Sequence, residues 1–278
     1  MICKVLNIEL DYKKIDSADL NQQATMSLYM PSNSKEIDIE RKRPTVVICP
    51  GGGYGMTSER EAEPVALKFA AADCNAVVVN YSVAPAIFPT ALLELSWAVA
   101  KLRENAEEWN VDTNKIAVMG FSAGGHLAAS YGTLWDKDFI REYFGYKCGE
   151  NKPNGMILSY PVITSGEYAH RGSFDNLLGD KCNDQELLTL LSVEKQINDN
   201  TPPAFIWHTF EDDCVPVENS LMLATALAEK KISTELHIFP KGCHGISLSN
   251  DAVNKNYNGE YAECQIWIDL AIRWFKNL

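Results

Sequence analysis

A five-residue segment near the middle of the chain could provide a serine nucleophile. The segment Gly120-Phe121-Ser122-Ala123-Gly124 has the form Gly-x-Ser-x-Gly and lies between the apolar run 116–119 and a segment with a helical pattern. Such a sharp turn strains the serine backbone and projects its hydroxyl clear of a sheet. A serine in an ordinary strand–helix turn is the alternative, but the buried strand before it and the glycines that open the helix favour a nucleophile.

A serine hydroxyl is a weak nucleophile near neutral pH and needs a positioned base. Of the five histidines, His244 is favoured because its glycine-flanked loop, 241–245, follows the last predicted strand and can reach the carboxyl edge of a sheet. The other four are predicted to pack in the structure or to border the site: His126 on the helix after the serine, His170 in an insertion, His208 at a strand end and His237 within a strand.

The acid that orients this base is expected between the serine and the histidine in the chain, after the preceding strand. The carboxylates 211–213 occupy that place. Asp212 is the first choice because Val215 and Pro216 give it the Asp-x-x-Val-Pro spacing that is common in the acid loops of hydrolases. Asp213 is the second choice. A run of carboxylates is otherwise usually a solvated loop.

Three consecutive glycines, 51–53, follow another apolar run and could form an oxyanion hole. Bare backbone can approach a substrate closely, so its amides can hold a developing negative oxygen. The predicted donors are the amides of Gly52, Gly53 and Ala123. Glycine triplets also form flexible turns and phosphate loops, but no Lys-Ser/Thr pair follows this one, which disfavours a phosphate loop.

Apolar runs that alternate with helical patterns must position these residues. The sequence predicts early strands at 4–11 and 24–30, buried strands at 45–49, 76–79, 116–119, 157–160, 204–207 and 234–239, and helices at 59–72, after 89, at 219–231 and at 260–276. This order predicts an α/β fold with a mostly parallel sheet and helices on both faces. We expect one domain over 1–278, with 160–203 as a cap-like helical insertion over the carboxyl ends of the strands.

Composition and net charge disfavour several classes of binding partner and of metal or disulfide site. The 278 residues are 46% hydrophobic and carry a net charge of -12, which disfavours nucleic acid and anionic membranes as partners. The chain lacks an apolar run long enough to span a bilayer, and its charged N-terminus does not resemble a signal peptide, so a cytoplasmic location is expected. Its eight scattered cysteines predict neither a zinc cluster nor a disulfide framework, and most of them are expected to be buried.

Taken together, these motifs resemble those of α/β-hydrolase-fold serine esterases, and more narrowly the carbohydrate esterases that include acetyl xylan and feruloyl esterases. The resemblance implies hydrolysis of carboxylic esters through an acyl-enzyme, with Ser122 attacking, His244 transferring protons and Asp212 stabilising the imidazolium. It implies no metal or organic cofactor, and a small-molecule ester as substrate, with short acyl groups such as acetyl on sugars or other small alcohols. The chain departs from the relatives at Ser82, where arginine is common.

Two rival functions and one regulatory hypothesis stay open at this point. A small peptidase of the prolyl-oligopeptidase type would share the triad, although such proteins usually carry a large additional domain. A ligand-binding protein built on an inactive hydrolase is the second rival. Cys214 and Cys243 adjoin the acid and the base, and they are either a redox-sensitive thiol pair or two packing residues.

Overall fold

A computed structural model describes residues 1–15 and 23–278, which build one eight-stranded sheet with helices on both faces. The strands are β1 (Ile2–Asn7), β2 (Thr25–Met30), β3 (Arg43–Cys49), β4 (Asn75–Asn80), β5 (Val111–Phe121), β6 (Gly155–Ser159), β7 (Ala204–Thr209) and β8 (Thr234–Phe239). Their order across the sheet is β1-β2-β4-β3-β5-β6-β7-β8. β2 is antiparallel to both of its neighbours, and every pair from β4 to β8 is parallel. The predicted mostly parallel sheet is therefore confirmed.

Helices cover the two faces of the sheet and divide the core into two layers. The helices are α1 (Glu63–Ala71), α2 (Thr90–Glu104), α3 (Ser122–Leu134), α4 (Asp138–Phe144), α5 (Arg171–Leu178), α6 (Gln185–Leu190), α7 (Glu218–Glu229) and α8 (Trp267–Lys276). Apolar residues of α2, α3, α5 and α7 share one core cluster, and those of α1 and α8 share the other. Strands β3, β5 and β6, between these layers, are therefore buried on both faces, as their continuous apolar runs predict.

Several predicted elements have different boundaries in the structure. The first strand is Ile2–Asn7, an exposed edge strand, and not 4–11. The predicted helix 59–72 is divided into the short 3-10 helix Glu59–Glu61 and α1, whose first turn contains Pro64, a residue that fits a helix start because it has no N–H to pair. The predicted helix 260–276 likewise begins as a 3-10 helix, Ala262–Ile266, before α8.

Ser82, at the position where arginine is common in the relatives, makes hydrogen bonds to a buried carboxylate on α2. Its amide donates to Glu94 Oε2 over 2.7 Å and its hydroxyl donates to Oε1 over 2.5 Å, while Tyr12 donates to Oε1 over 2.9 Å. Glu94 is 0% exposed. Burial raises the pKa of Glu94 to about 7, and the hydrogen bonds from Ser82 and Tyr12 oppose this rise only in part. Ser82 thus ties the chain after β4 to α2.

This raised pKa predicts a pH-dependent contribution to stability. Folded Glu94 keeps a proton that the unfolded chain releases above its usual pKa of 4.5. The contribution of protonated Glu94 to the unfolding free energy is therefore complete below pH 4.5 and is lost as the pH rises through about 7. Glutamine does not titrate, so the Glu94→Gln variant should not lose stability in this pH range. Its unfolding free energy minus that of wild type should rise by on the order of 3 kcal/mol between pH 4.5 and about 7.

Urea unfolding at a series of pH values measures this difference. Glu104→Gln is the matched control, because Glu104 lies on the same helix and its side chain is 67% exposed. We expect the control to follow the wild-type pH dependence. Curves for Glu94→Gln and wild type that stay parallel from acid to neutral pH would contradict the prediction.

Two further sequence predictions concern the cysteines and the membrane. All eight cysteines are free, but only Cys49, Cys74 and Cys264 are buried. The expectation that most of them are buried is wrong, because the others lie on the edge strand, on loops and in the insertion, where four are exposed and Cys182 is partly buried. Across the described ranges, no helix has the length and apolar character needed to cross a membrane.

Candidate active site

Ser122 lies at a sharp turn where β5 ends and α3 begins. Its φ of 53° is in the left-handed region, which non-glycine residues rarely occupy and which commonly marks functional turns. A Cβ on Gly120 would lie 1.9 Å from the Gly124 carbonyl oxygen, and a Cβ on Gly124 would lie 2.1 Å from that of Cys49. Only glycine fits these two positions, so both glycines of the motif are required by packing.

The three residues that the sequence predicts as a triad are joined by hydrogen bonds. His244 Nε2 lies 2.8 Å from Ser122 Oγ, and His244 Nδ1 lies 2.7 Å from Asp212 Oδ2. A carboxylate accepts only, so Nδ1 carries the proton and Nε2 presents its lone pair to the serine hydroxyl. This is the tautomer that can remove the serine proton. The structure therefore brings Ser122, His244 and Asp212 together from the ends of three different strands.

Asp212 is held as an anion by donors on both of its oxygens. Oδ1 accepts from the amides of Cys214 and Val215 over 3.0 and 2.9 Å, and Oδ2 also lies 3.3 Å from His208 Nε2. Burial acts to raise the pKa of Asp212, but hydrogen bonds from His208 and His244 outweigh burial and hold this pKa well below its usual range. Asp213, the second choice for the acid, is exposed.

The loop that carries His244 is fixed to the end of β7. The Thr209 hydroxyl donates to the Gly242 carbonyl over 2.8 Å. Gly242 has a φ of 145°, and a Cβ there would lie 2.6 Å from Thr209 Cγ2. The glycines on either side of His244 thus allow a tight loop in which the imidazole, 18% exposed, keeps access to solvent.

The glycine loop 51–53 lies against the serine. A Cβ on Gly51 would be 3.0 Å from Ser122 Cβ. Gly52 and Gly53 have φ values of 132° and 63°, which turn their peptide planes. Their carbonyls are already used: that of Gly52 accepts from Gly55 over 3.0 Å, and that of Gly53 accepts from the Asn176 side chain over 2.8 Å.

The three amides that the sequence predicts as oxyanion donors are not used by the hydrogen bonds of the described residues. In residues 1–15 and 23–278, no hydrogen bond uses the N–H of Gly52, Gly53 or Ala123. Unpaired N–H groups beside a nucleophile are what an oxyanion hole requires. The Gly51 amide, in contrast, donates to Glu61 Oε2 over 2.8 Å and is not available to a ligand.

Three of the remaining histidines make structural contacts, as predicted. His126 bonds to the Tyr54 hydroxyl and to the Leu191 carbonyl, each over 2.8 Å, and burial lowers its pKa to about 4. His237 bonds to Glu235 over 2.8 Å on the partly exposed strand β8. His208 bonds to the Ser220 hydroxyl over 2.7 Å and supports Asp212.

Known proteins resemble this chain over most of its length. The BD-FAE family model matches residues 26–227. The chain belongs to the BD-FAE family of α/β hydrolases. The chain is 43% identical over 228 residues to endo-1,4-beta-xylanase B of Butyrivibrio fibrisolvens, with 80% of this chain and 35% of the relative covered. It is 32% identical over 210 residues to the acetylxylan esterase of Xylanibacter ruminicola, with 73% and 41% covered.

A solved structure extends this similarity to the whole fold. The acetyl ester-xyloside bifunctional hydrolase from Caldicellulosiruptor lactoaceticus superposes with a TM-score of 0.82 at 34% identity, with 99% of this chain and 96% of that chain covered. The chain spans between a third and a half of the length of the two curated relatives above. The fold of this BD-FAE family member therefore matches that solved chain over nearly its whole length, whereas the two curated proteins are much longer.

Three residues of this BD-FAE family site were not predicted from the sequence. Glu61 is buried and bonds to Gly51 and to the Tyr160 hydroxyl. The Tyr160 ring lies edge-on to the His244 ring, with centroids 5.1 Å apart. His170, which the sequence analysis assigns only to the insertion, is hydrogen-bonded to Ser173 over 2.8 Å. Its pKa is lowered mainly by burial and also by the positive charge of protonated His244. Glu61 and Tyr160 meet only in the fold, and no local motif marks any of the three residues.

The two cysteines beside the acid and the base are both exposed in this BD-FAE family member. Cys214 and Cys243 are free thiols, and the interpretation of them as packing residues is wrong because neither side chain is buried. Burial of part of its surface and the neighbouring Asp212 and Asp213 raise the pKa of Cys214. A raised pKa makes a thiol less reactive. The redox hypothesis stays a prediction, and activity that is unchanged by peroxide and by thiol-blocking reagents would contradict it.

Proposed function

We propose that this protein is a serine carboxylesterase that hydrolyses short-chain acyl esters, above all acetyl esters of sugars or other small alcohols, through an acyl-enzyme. The observation that carries the proposal is the chain of hydrogen bonds from Ser122 through His244 to Asp212. It lies beside the amides of Gly52 and Gly53, which have no acceptor among the described residues. The names of the relatives, an acetylxylan esterase and an acetyl ester-xyloside hydrolase, support acetyl esters of sugars as the substrate class.

The proposed reaction has two halves. His244 Nε2 takes the hydroxyl proton as Ser122 Oγ bonds to the ester carbonyl carbon, and the amides of Gly52, Gly53 and Ala123 hold the negative oxygen. Asp212 stabilises the imidazolium. The carbon–oxygen bond to the alcohol then breaks, and the alcohol leaves with the proton from His244. In the second half, His244 takes a proton from water, whose oxygen displaces Ser122 and releases the carboxylic acid.

The segment 160–203 belongs to the proposal as a cap-like insertion of a single domain. Asn176 on α5 bonds to the Gly53 carbonyl. A Cβ on Gly53 would lie 4.0 Å from both His170 Cε1 and Ser173 Oγ, so α5 begins directly above the glycine loop. These contacts support a role of the insertion in shaping the space that receives the substrate.

A panel of substrates tests the function. We expect the highest kcat/KM for p-nitrophenyl acetate in a series from acetyl to decanoyl, release of acetate from acetylated xylo-oligosaccharides, and no cleavage of an aminoacyl-proline amide. Ser122→Ala is the control for activity of this site. Faster turnover of the amide than of every ester would support the peptidase rival, and the absence of any turnover would support the ligand-binding rival.

The remaining predictions concern the binding partners, the cellular location and the cofactor requirement of the protein. The net charge of -12 supports the prediction that neither nucleic acid nor anionic lipid is a partner. A cytoplasmic location, and a reaction without a metal or organic cofactor, also stay predictions.

A further inference from the structure

The carboxylate of Glu61 is buried beneath the glycine loop and has a partner on each oxygen. Glu61 is 2% exposed. Oε2 accepts from the Gly51 amide over 2.8 Å, and Oε1 accepts from the Tyr160 hydroxyl over 2.7 Å. Since both oxygens face donors, the hydrogen bonds suit the ionised form, which accepts only. In residues 1–15 and 23–278 no lysine or arginine forms a salt bridge with it. A buried carboxylate of this kind is costly and needs an explanation.

Tyr160 extends this contact to the loop that carries His244. The Tyr160 hydroxyl accepts from the Ser247 amide over 3.0 Å while it donates to Glu61. The Ser247 hydroxyl in turn donates to the Arg60 carbonyl over 2.6 Å, next to Glu61 in the chain. The histidine loop is therefore attached twice to the segment around Glu61. The glycine loop is attached to the same carboxylate through Gly51.

The charge of Glu61 also acts on His244. Burial raises the pKa of Glu61, and the hydrogen bonds from Tyr160 and Gly51, together with attraction to His244 and to Arg60, oppose that rise. The attraction is mutual, so an ionised Glu61 favours the imidazolium that forms during ester cleavage. Other groups near His244 are Asp212, which also favours the imidazolium, and the edge of the Tyr160 ring. Two groups oppose the imidazolium when they carry a positive charge. They are His170 and Arg60, whose guanidinium would lie 3.6 Å from a Cβ on Gly245, the next residue.

We propose that Glu61 is a positioning residue of this active site. One buried carboxylate fixes the glycine loop through Gly51 and the histidine loop through Tyr160, and its charge favours protonated His244. The proposal rests on the proposed esterase function, since it assigns Glu61 a role in that same reaction. The hydrogen bonds of the buried Glu61 carboxylate go to Gly51 and Tyr160, and in the described ranges none goes to Ser122 or His244.

Glu61→Gln tests the charge, and Tyr160→Phe tests the connection. The glutamine oxygen can still accept from Gly51, but its NH2 group then faces Tyr160, whose hydroxyl must accept instead of donate, so the hydroxyl proton loses its acceptor. We expect kcat for p-nitrophenyl acetate to fall about 10- to 100-fold in Glu61→Gln and about 5- to 20-fold in Tyr160→Phe, with KM changed less than about threefold.

The pH profile separates a positioning role from a merely structural one. Loss of the Glu61 charge should move the acid limb of kcat/KM to lower pH by about half a unit or more in Glu61→Gln. In Tyr160→Phe that limb should stay near its wild-type place. A structural defect alone would lower activity without this movement.

The matched controls are Glu63→Gln and Tyr29→Phe. Tyr29 donates to Glu63 over 3.0 Å, which repeats the tyrosine–glutamate contact at an exposed position. Both controls should keep wild-type kcat and pH profile. A folded Glu61→Gln with kcat within twofold of wild type and an unmoved acid limb would overturn the proposal. If Glu61→Gln does not fold, a wild-type kcat in Tyr160→Phe would overturn it as well. Absence of esterase activity in the wild-type protein would instead contradict the proposed function.

Discussion

Replacing Ser122 with alanine should lower kcat for p-nitrophenyl acetate by about 10⁴- to 10⁶-fold, while the protein stays folded. The expected loss is large because the hydroxyl oxygen is the atom that forms the acyl bond, and the variant leaves His244 without a positioned hydroxyl to deprotonate. The alanine side chain fits the same turn, because the left-handed φ of 53° strains serine and alanine alike.

Ser130→Ala is the control for this prediction. Ser130 lies on the same helix and is 3% exposed, but its hydroxyl is 3.5 Å from His126 and has no contact with His244. We expect wild-type kcat in the control. Near-normal ester turnover by Ser122→Ala, measured with protein prepared free of wild-type enzyme, would mean that another residue attacks the ester.

Replacing Asp212 with asparagine should lower kcat by about 10³- to 10⁴-fold. The asparagine side chain keeps the size of the aspartate but has no negative charge to stabilise the imidazolium. Its NH2 group can also face His244 Nδ1, in which case Nε2 carries the proton and cannot accept the proton of Ser122. The Cys214 and Val215 amides still need an acceptor, so the amide oxygen is expected to turn toward them.

Asp213→Asn separates the two candidate acids. Asp213 is exposed, whereas the side chain of Asp212 is 0% exposed and is 2.7 Å from His244. The same chemical change at Asp213 should leave kcat within about twofold of wild type. A large loss in Asp213→Asn together with an active Asp212→Asn would show that the second choice from the sequence is the functional acid.

Local sequence patterns were sufficient to predict the parallel strands and to select three distant residues that the structure joins by hydrogen bonds. The runs 45–49, 116–119 and 204–207 are buried on both faces, so they are apolar throughout and easily recognised. Ser122 and His244 stand in glycine-rich turns directly after strands, and the required turn conformation is visible in the residue types.

Features that depend on contacts between distant segments could not be predicted in this way. Glu61 resembles any acidic residue near a helix start until Gly51 and Tyr160 are seen to donate to it. Ser82 is an apparent departure from the relatives until Glu94 is found beside it. The prediction that most cysteines are buried was wrong because burial depends on where each segment lies in the fold. Cys214 and Cys243, for example, are exposed on the loops that follow β7 and β8.

Covalent labelling of the protein is the most direct measurement of the proposed chemistry. A p-nitrophenyl methylphosphonate ester imitates the tetrahedral intermediate and leaves a stable phosphonyl group on an activated serine. We expect intact-mass analysis to show one phosphonyl group per chain, peptide mapping to place it on Ser122, and esterase activity to disappear in proportion to labelling. The label should be absent in Ser122→Ala. Labelling of a different residue in step with inactivation, or full esterase activity in protein labelled at Ser122, would contradict nucleophilic attack by Ser122.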